Sequence, residues 1–137
     1  MNHWLVKSEP GVYSWDNLVA DKRTNWSGVR NFQASNNLKA MKKGDRAFFY
    51  HSGAGPAIVG IADVVREYYP DPSDKTGRFG MVDLVSVMPM KQPVSLAEIK
   101  AERRLADFGL VRQGRLSVVP VSAAHWKMIC AMGQTKA

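Results

Sequence analysis

Between Arg46 and Val65 the chain carries two β-forming segments separated only by Ser52-Gly53-Ala54-Gly55-Pro56. The first, Arg46-Ala47-Phe48-Phe49-Tyr50-His51, is rich in aromatic side chains and reads as a buried strand. The second runs from Ala57 to Val65, with Gly60 marking a bend or bulge inside it. Trp4–Lys7, Met81–Met88 and Arg115–Val121 add further β segments, so about five strands are expected. Short helices interrupt them without the regular strand-helix alternation of a doubly wound sheet. The expected fold class is therefore α/β in the mixed α+β sense, a small barrel or strongly bent sheet with short peripheral helices. Barrels of this kind gather ligand sites at a mouth, where loops and strand ends converge.

The helices announce themselves by their caps. Ser14 caps a short helix through Leu18 to Ala20, and Ser95-Leu96-Ala97-Glu98 is a capping box that starts another with Ile99 facing inward. From Asn31 onward Ala34, Leu38 and Met41 fall on one helical stripe, Lys39, Lys42 and Lys43 lie off it, and Gly44 is the expected stop. Ser122 caps a last helix with Ala123, Trp126, Ile129 and Cys130 on one face. Asp21–Asn25 reads as a polar loop and Tyr69–Gly80 as a turn region, while Leu105–Leu110 resists assignment.

A chain of 137 residues supports one core, so residues 1–137 are read as a single domain, with a monomer favoured. No apolar run approaches the roughly 20 residues that span a bilayer, and the N-terminus lacks a signal-peptide pattern. The expectation is a cytoplasmic protein without a membrane partner. The lone Cys130 agrees with a reducing compartment and, on an apolar stripe, reads as a packed thiol. A net charge of +7 suggests a polyanionic partner.

The chemistry concentrates in Asn25-Trp26-Ser27-Gly28-Val29-Arg30-Asn31-Phe32-Gln33-Ala34. An aromatic face, a glycine, a guanidinium and amides within ten residues suit a flat ligand with polar edges, such as a nucleobase. The Trp26 ring is open to two readings, a stacking platform or a core side chain. Gly28 permits close approach or a positive φ. Arg30 can grip a phosphate or base edge, or form a structural ion pair. Asn31 either caps the helix that follows or presents its amide to a base.

Enzymatic patterns are sparse. His3, His51 and His125 are far apart and lack metal-ligand spacing, and no nucleophile elbow or phosphate-cradling glycine motif is present. No cofactor and no metal are expected, and the chain is read as a non-enzyme.

Five blocks carry a family resemblance: His3–Pro10, Trp26–Ala34, Phe48–Ser52, Val59–Ala62 and Arg115–Val118. In content and order they resemble EVE-domain proteins, over nearly the whole chain. The resemblance implies the PUA-like fold, a small bent β-barrel related to the YTH readers of methylated adenine. It also implies a reader that holds a modified base, such as a methylated or hydroxymethylated cytosine, from DNA or RNA in an aromatic-walled pocket. Carried over by position, the pocket draws on Lys7, Ser8 and Glu9, with Trp26, Gly28, Val29, Arg30 and Asn31 as its wall. Tyr50, His51 and Ser52 contribute from the central strand, and Arg115, Leu116 and Ser117 close the far side or meet the backbone. A separately encoded nuclease or modification enzyme is a candidate further partner. Two positions depart from the family pattern: Ser27 stands where an aspartate is common, and Phe79 lies near the place of a second tryptophan.

Two alternatives belong to other classes. One is an enzyme acting on nucleic acid or modified nucleosides, with His51 as acid or base and Glu9 as its partner. The other is a general basic RNA-binding module in which Trp26 is simply core.

Overall fold

All five expected β segments enter one mixed sheet, joined by a sixth strand. The computed structural model describes residues 1–137. In chain order they form β1 (His3–Ser8), α1 (Trp15–Asp21), β2 (Arg23–Asn25), α2 (Phe32–Ala40), β3 (Arg46–His51) and β4 (Ala57–Pro70). There follow β5 (Gly80–Ser95), α3 (Leu96–Ala101), a 3₁₀ turn (Arg103–Leu105), α4 (Gly109–Arg112), β6 (Val118–Val121) and α5 (Ala123–Met132). The strand order is β2-β5-β4-β3-β1-β6, with β1 and β3 parallel and the other neighbours antiparallel. A parallel pair needs a long crossover, and here α1, β2 and α2 form it, carrying the Trp26–Asn31 loop between its last two elements.

Helix α2 packs against β4, β5 and β6. A flat sheet would hold β5 and β6 about 19 Å apart, four strand spacings. Their common contact with a helix of 9 residues shows the sheet curled around it, which is the bent-barrel, PUA-like α+β form.

The core lies on both sides of β3, whose four central residues, Ala47 to Tyr50, are all buried. Phe48 stacks on Trp126 of α5 at 3.9 Å, and Phe49 on the other face meets Trp15 and Trp26 edge-on at 5.4 and 5.5 Å. Gly60 pairs with Phe49 where the β3–β4 and β4–β5 registers both shift nearby, so the bend expected there is present. Packing supplies a further reason for glycine: a Cβ at position 60 would lie 2.5 Å from the Trp15 ring. Gly60→Ala should therefore destabilise the protein by about 1 to 3 kcal/mol through overpacking. Thermal melting checks this, and an unchanged midpoint would mean that Trp15 moves freely.

The expected caps are observed at Ser14, Asn31, Ser95 and Ser122. Several boundaries differ from expectation. Residues 23–25 form an edge strand held by backbone pairing to β5 and by the Arg23–Asp83 ion pair, neither of which leaves an apolar pattern in the sequence. Helix α2 ends at Ala40, and Gly44, at φ +95°, serves the turn into β3 instead. Strand β4 continues to Pro70, and β5 runs well past Met88. Between Pro89 and Val94 it leaves β4 and pairs with the C-terminal segment, Lys91 and Gln92 donating their N–H groups to Thr135 Oγ1 and the Gly133 carbonyl. Only Val118–Val121 of the last expected strand is paired as a strand, leaving Arg115–Ser117 in the approach to it. No helix is long and apolar enough to cross a membrane.

Candidate functional site

The end of β1, the turn after it and the Trp26–Asn31 loop enclose an open cavity of about 610 Å³. Its walls contain Lys7, Ser8, Glu9, Trp26, Gly28, Val29, Arg30, Asn31 and Ser117 from the positions singled out in the sequence. They also contain Asn25 and Ser27, both inside the Asn25–Ala34 stretch, and Val12, Tyr13 and Thr24, which nothing in the sequence marks.

Trp26 does two jobs at once. Its backbone N–H donates to the Val82 carbonyl at 2.7 Å, anchoring the loop to β5. Its ring meets Phe49 and Tyr13 edge-on at 5.5 and 6.5 Å and is only 9% exposed, yet it borders the cavity. The residue is thus packed in the core and at the same time lines the cavity.

The rest of the loop is held from across the fold. Gly28 adopts φ +81°, a conformation that strains any residue with a Cβ, and its N–H donates to Asp71 Oδ2 at 2.8 Å. Arg30 donates from Nη1 to the same oxygen at 3.3 Å and from Nη2 to Ser73 Oγ at 3.0 Å, with its guanidinium 5.7 Å from the Phe79 ring centroid. Asp71 Oδ1 in turn accepts from the Ser73 N–H and hydroxyl at 2.8 and 2.6 Å. Burial alone would raise the Asp71 pKa. The bonds from the Ser73 hydroxyl, the Gly28 and Ser73 amides and Arg30 outweigh it and hold this carboxyl down at about 2. Asp71 went unnoticed in the sequence, inside what reads as a polar turn.

Asn31 caps α2, its Oδ1 accepting from the Ala34 N–H at 2.9 Å, and the residue also lines the cavity, its Nδ2 making no hydrogen bond within the protein. On the opposite wall Lys7 donates from Nζ to the Gly114 carbonyl at 2.7 Å, and partial burial lowers its pKa. Ser8 donates to the Tyr13 carbonyl at 2.5 Å, and the Glu9 carbonyl accepts from the N–H groups of Val12 and Tyr13, shaping the turn that brings Tyr13 to the wall.

Other singled-out residues lie outside this cavity. Tyr50 is buried beneath Lys7, whose Nζ stands 5.9 Å from its ring. Ser52 donates its N–H to the Ser8 carbonyl at 2.9 Å and so supports the wall from behind. His51 accepts the Trp15 N–H on Nε2 at 2.9 Å and meets Phe49 edge-on at 5.7 Å; burial lowers its pKa, with Asp16 acting weakly against that. Arg115 and Leu116 border a separate, neighbouring cavity. No cluster of three or more His, Cys, Asp or Glu is placed to hold a metal ion.

What this arrangement can do is stack a planar group against an indole and meet its edge with amide, hydroxyl and ammonium groups. The EVE domain model matches residues 2–132. Human thymocyte nuclear protein 1 is 36% identical over a 165-residue alignment that covers 96% of this chain and 73% of that protein. Its crystal structure in complex with DNA containing 5-methylcytosine matches with a TM-score of 0.91 at 34% identity, covering 100% of both chains. A Rhodopseudomonas palustris protein solved by NMR is 53% identical, with a TM-score of 0.93 over 98% of this chain and 94% of that one. The YTH domain of Zygosaccharomyces rouxii MRB1, crystallised with N6-methyladenosine RNA, is 17% identical and shares the fold alone. Its TM-score is 0.59 over 96% of this chain and 86% of that one. A family match over nearly every residue, together with relatives that span the whole fold, establishes that this chain belongs to the EVE-domain family.

Proposed function

We propose that this protein is a non-catalytic reader of nucleic acid carrying a modified base, with the base held in the cavity between Lys7–Glu9 and Trp26–Asn31. The observation that carries the reading is the cavity itself. A space of about 610 Å³, within the range of small-molecule sites, is bordered by an indole and ringed by polar edge groups. The DNA complex of human thymocyte nuclear protein 1 supports this assignment, as does the net charge of +7. In a duplex a base reaches such a cavity only by turning out of the stack, and stacking on an aromatic ring offsets part of that cost, about 1 to 3 kcal/mol per base. The favoured ligand is a methylated or hydroxymethylated cytosine. Ser27, lining the cavity, offers a neutral hydroxyl, so discrimination at this position falls to shape and hydrogen bonding in place of attraction to a cationic edge.

Direct titrations at fixed salt test the reading, using matched oligonucleotides with plain cytosine, 5-methylcytosine and 5-hydroxymethylcytosine, and RNA with and without N6-methyladenosine. One modified member should bind best. Equal affinity across the set would remove the reader assignment.

The geometry gives the enzymatic alternative little support. The Nε2 lone pair that a general base would use accepts the Trp15 N–H, and His51 makes no hydrogen bond to Glu9. His51→Ala is expected to keep selective affinity while lowering the melting temperature, because the backbone N–H of Trp15 loses its acceptor. Nuclease or glycosylase turnover that disappears in His51→Ala with binding intact would instead install the enzyme.

A further inference from the structure

The base cavity adjoins a second one. Asn31 borders both, and Lys7, from the wall of the first, donates to the carbonyl of Gly114 in the wall of the second. The second cavity has a volume of about 350 Å³ and lies among Asn31, Gln33, Arg112, Gln113, Gly114 and Arg115.

Its charge is one-sided. Arg112 and Arg115 are exposed, and no carboxylate lines the space between them. Neither guanidinium makes an ion pair or a hydrogen bond, whereas Arg23, Arg30, Arg46 and Arg104 each pair with a carboxylate; Arg66, Arg78 and Arg103 are unpaired too, but border no cavity. The segment that carries the two arginines, from the end of α4 into the turn after it, is nonetheless held on both flanks. Gln33 Nε2 donates to Gln113 Oε1 at 2.9 Å, tying it to α2, and the Lys7 bond ties it to β1. Unpaired cations on an anchored loop keep their attraction for an anion and lose less freedom on binding than cations on a mobile one.

Guanidinium groups present a fork of N–H donors that matches phosphate oxygens. A nucleotide whose base fills the first cavity must leave its sugar and phosphates at the rim, and Asn31, at that wall, also borders the second cavity. We infer that Arg112 and Arg115 form a subsite for the backbone phosphate flanking the held base, an anchor blind to the base's identity beside the cavity that reads it. The inference rests on the reader assignment for the position of the base. It adds a division of labour: selectivity resides in the first cavity, and a share of the affinity resides in the second.

The test uses the full chain, the double variant Arg112→Gln/Arg115→Gln, and duplex DNA with one 5-methylcytosine or its plain counterpart. Each duplex is also made with an uncharged methylphosphonate at the linkages flanking the target base, or at distant ones. The double variant should bind both plain and modified duplexes about tenfold or more weakly with their ratio unchanged, and its salt slope should fall by about 1 to 2. The flanking methylphosphonate should weaken the wild type and leave the double variant nearly unaffected, while distant substitutions affect both equally. If the double variant keeps wild-type affinity, or the flanking linkages matter no more than distant ones, the subsite is overturned while the reader assignment stands. If the arginine and phosphate effects couple but wild type ignores the methyl group, the subsite stands and 5-methylcytosine is removed as the base it flanks, while the reader assignment is decided by the wider set of oligonucleotides. Absence of binding to every duplex and to the RNA of the reader titration overturns both.

Discussion

Asp71→Ala is expected to lower stability by about 3 kcal/mol and to abolish selective binding in the same stroke. This carboxylate is 2% exposed and accepts from Gly28, Arg30 and both the amide and hydroxyl of Ser73. Removing it leaves the Gly28 N–H without its acceptor and frees Arg30, so the loop that presents Trp26 and Asn31 loses its brace. Chemical denaturation reads the first effect and oligonucleotide titration the second. Wild-type affinity in the alanine variant would show that the cavity wall stands without this clamp.

Acidity offers an independent check. The folded pKa of Asp71, about 2, lies below the ordinary aspartate value near 4. A depressed carboxylate stabilises the fold fully above its unfolded pKa and loses that contribution as the pH falls through the folded one. The melting-temperature gap between wild type and Asp71→Asn should therefore be widest at neutral pH and close between about pH 4 and pH 2. A gap that persists at the acid end would place the stabilisation in shape alone.

The second large effect belongs to Trp26. Trp26→Ala should cost about 3 to 5 kcal/mol, the range for deleting a large buried aromatic, because the ring packs on Phe49 and Tyr13. It should also remove modified-base affinity, because the same ring borders the cavity. Trp26→Phe separates the two: a smaller ring keeps much of the edge-on packing but offers less surface to a base. It should retain most of the melting temperature while losing affinity. If both substitutions reduce only stability and leave selectivity untouched, Trp26 is core and the chain is a general basic binder.

These two residues differ in how they could be found. Trp26 stands out in the sequence as an aromatic beside a glycine, an arginine and amides, all within one loop. Asp71 carries no such mark: its bonds to Ser73 make only a local turn beside Pro70 and Pro72, and its partners in the site loop, Gly28 and Arg30, lie 43 and 41 residues away. Tyr13 and Thr24 are equally silent, brought to the wall by a turn after β1 and by an edge strand too short and polar to show a period. Arg115, Leu116 and Ser117 are consecutive in sequence, yet Ser117 lines the base cavity while Arg115 and Leu116 border its neighbour, because the chain turns there before it enters β6.

What the sequence determined by itself was local: the four capped helix starts, the buried aromatic strand Arg46–His51 and a ligand-like loop at Trp26–Asn31. Caps and strands are set by side chains within a few residues of the backbone groups they satisfy, so one sequence suffices to see them. Tertiary structure alone decided that the sheet curls around α2, that Asp71 braces the loop from across the fold and that the free arginines open beside the base cavity. Each of these depends on contacts between residues far apart in the chain, whose meeting is fixed by how one shared core closes and leaves no local signature.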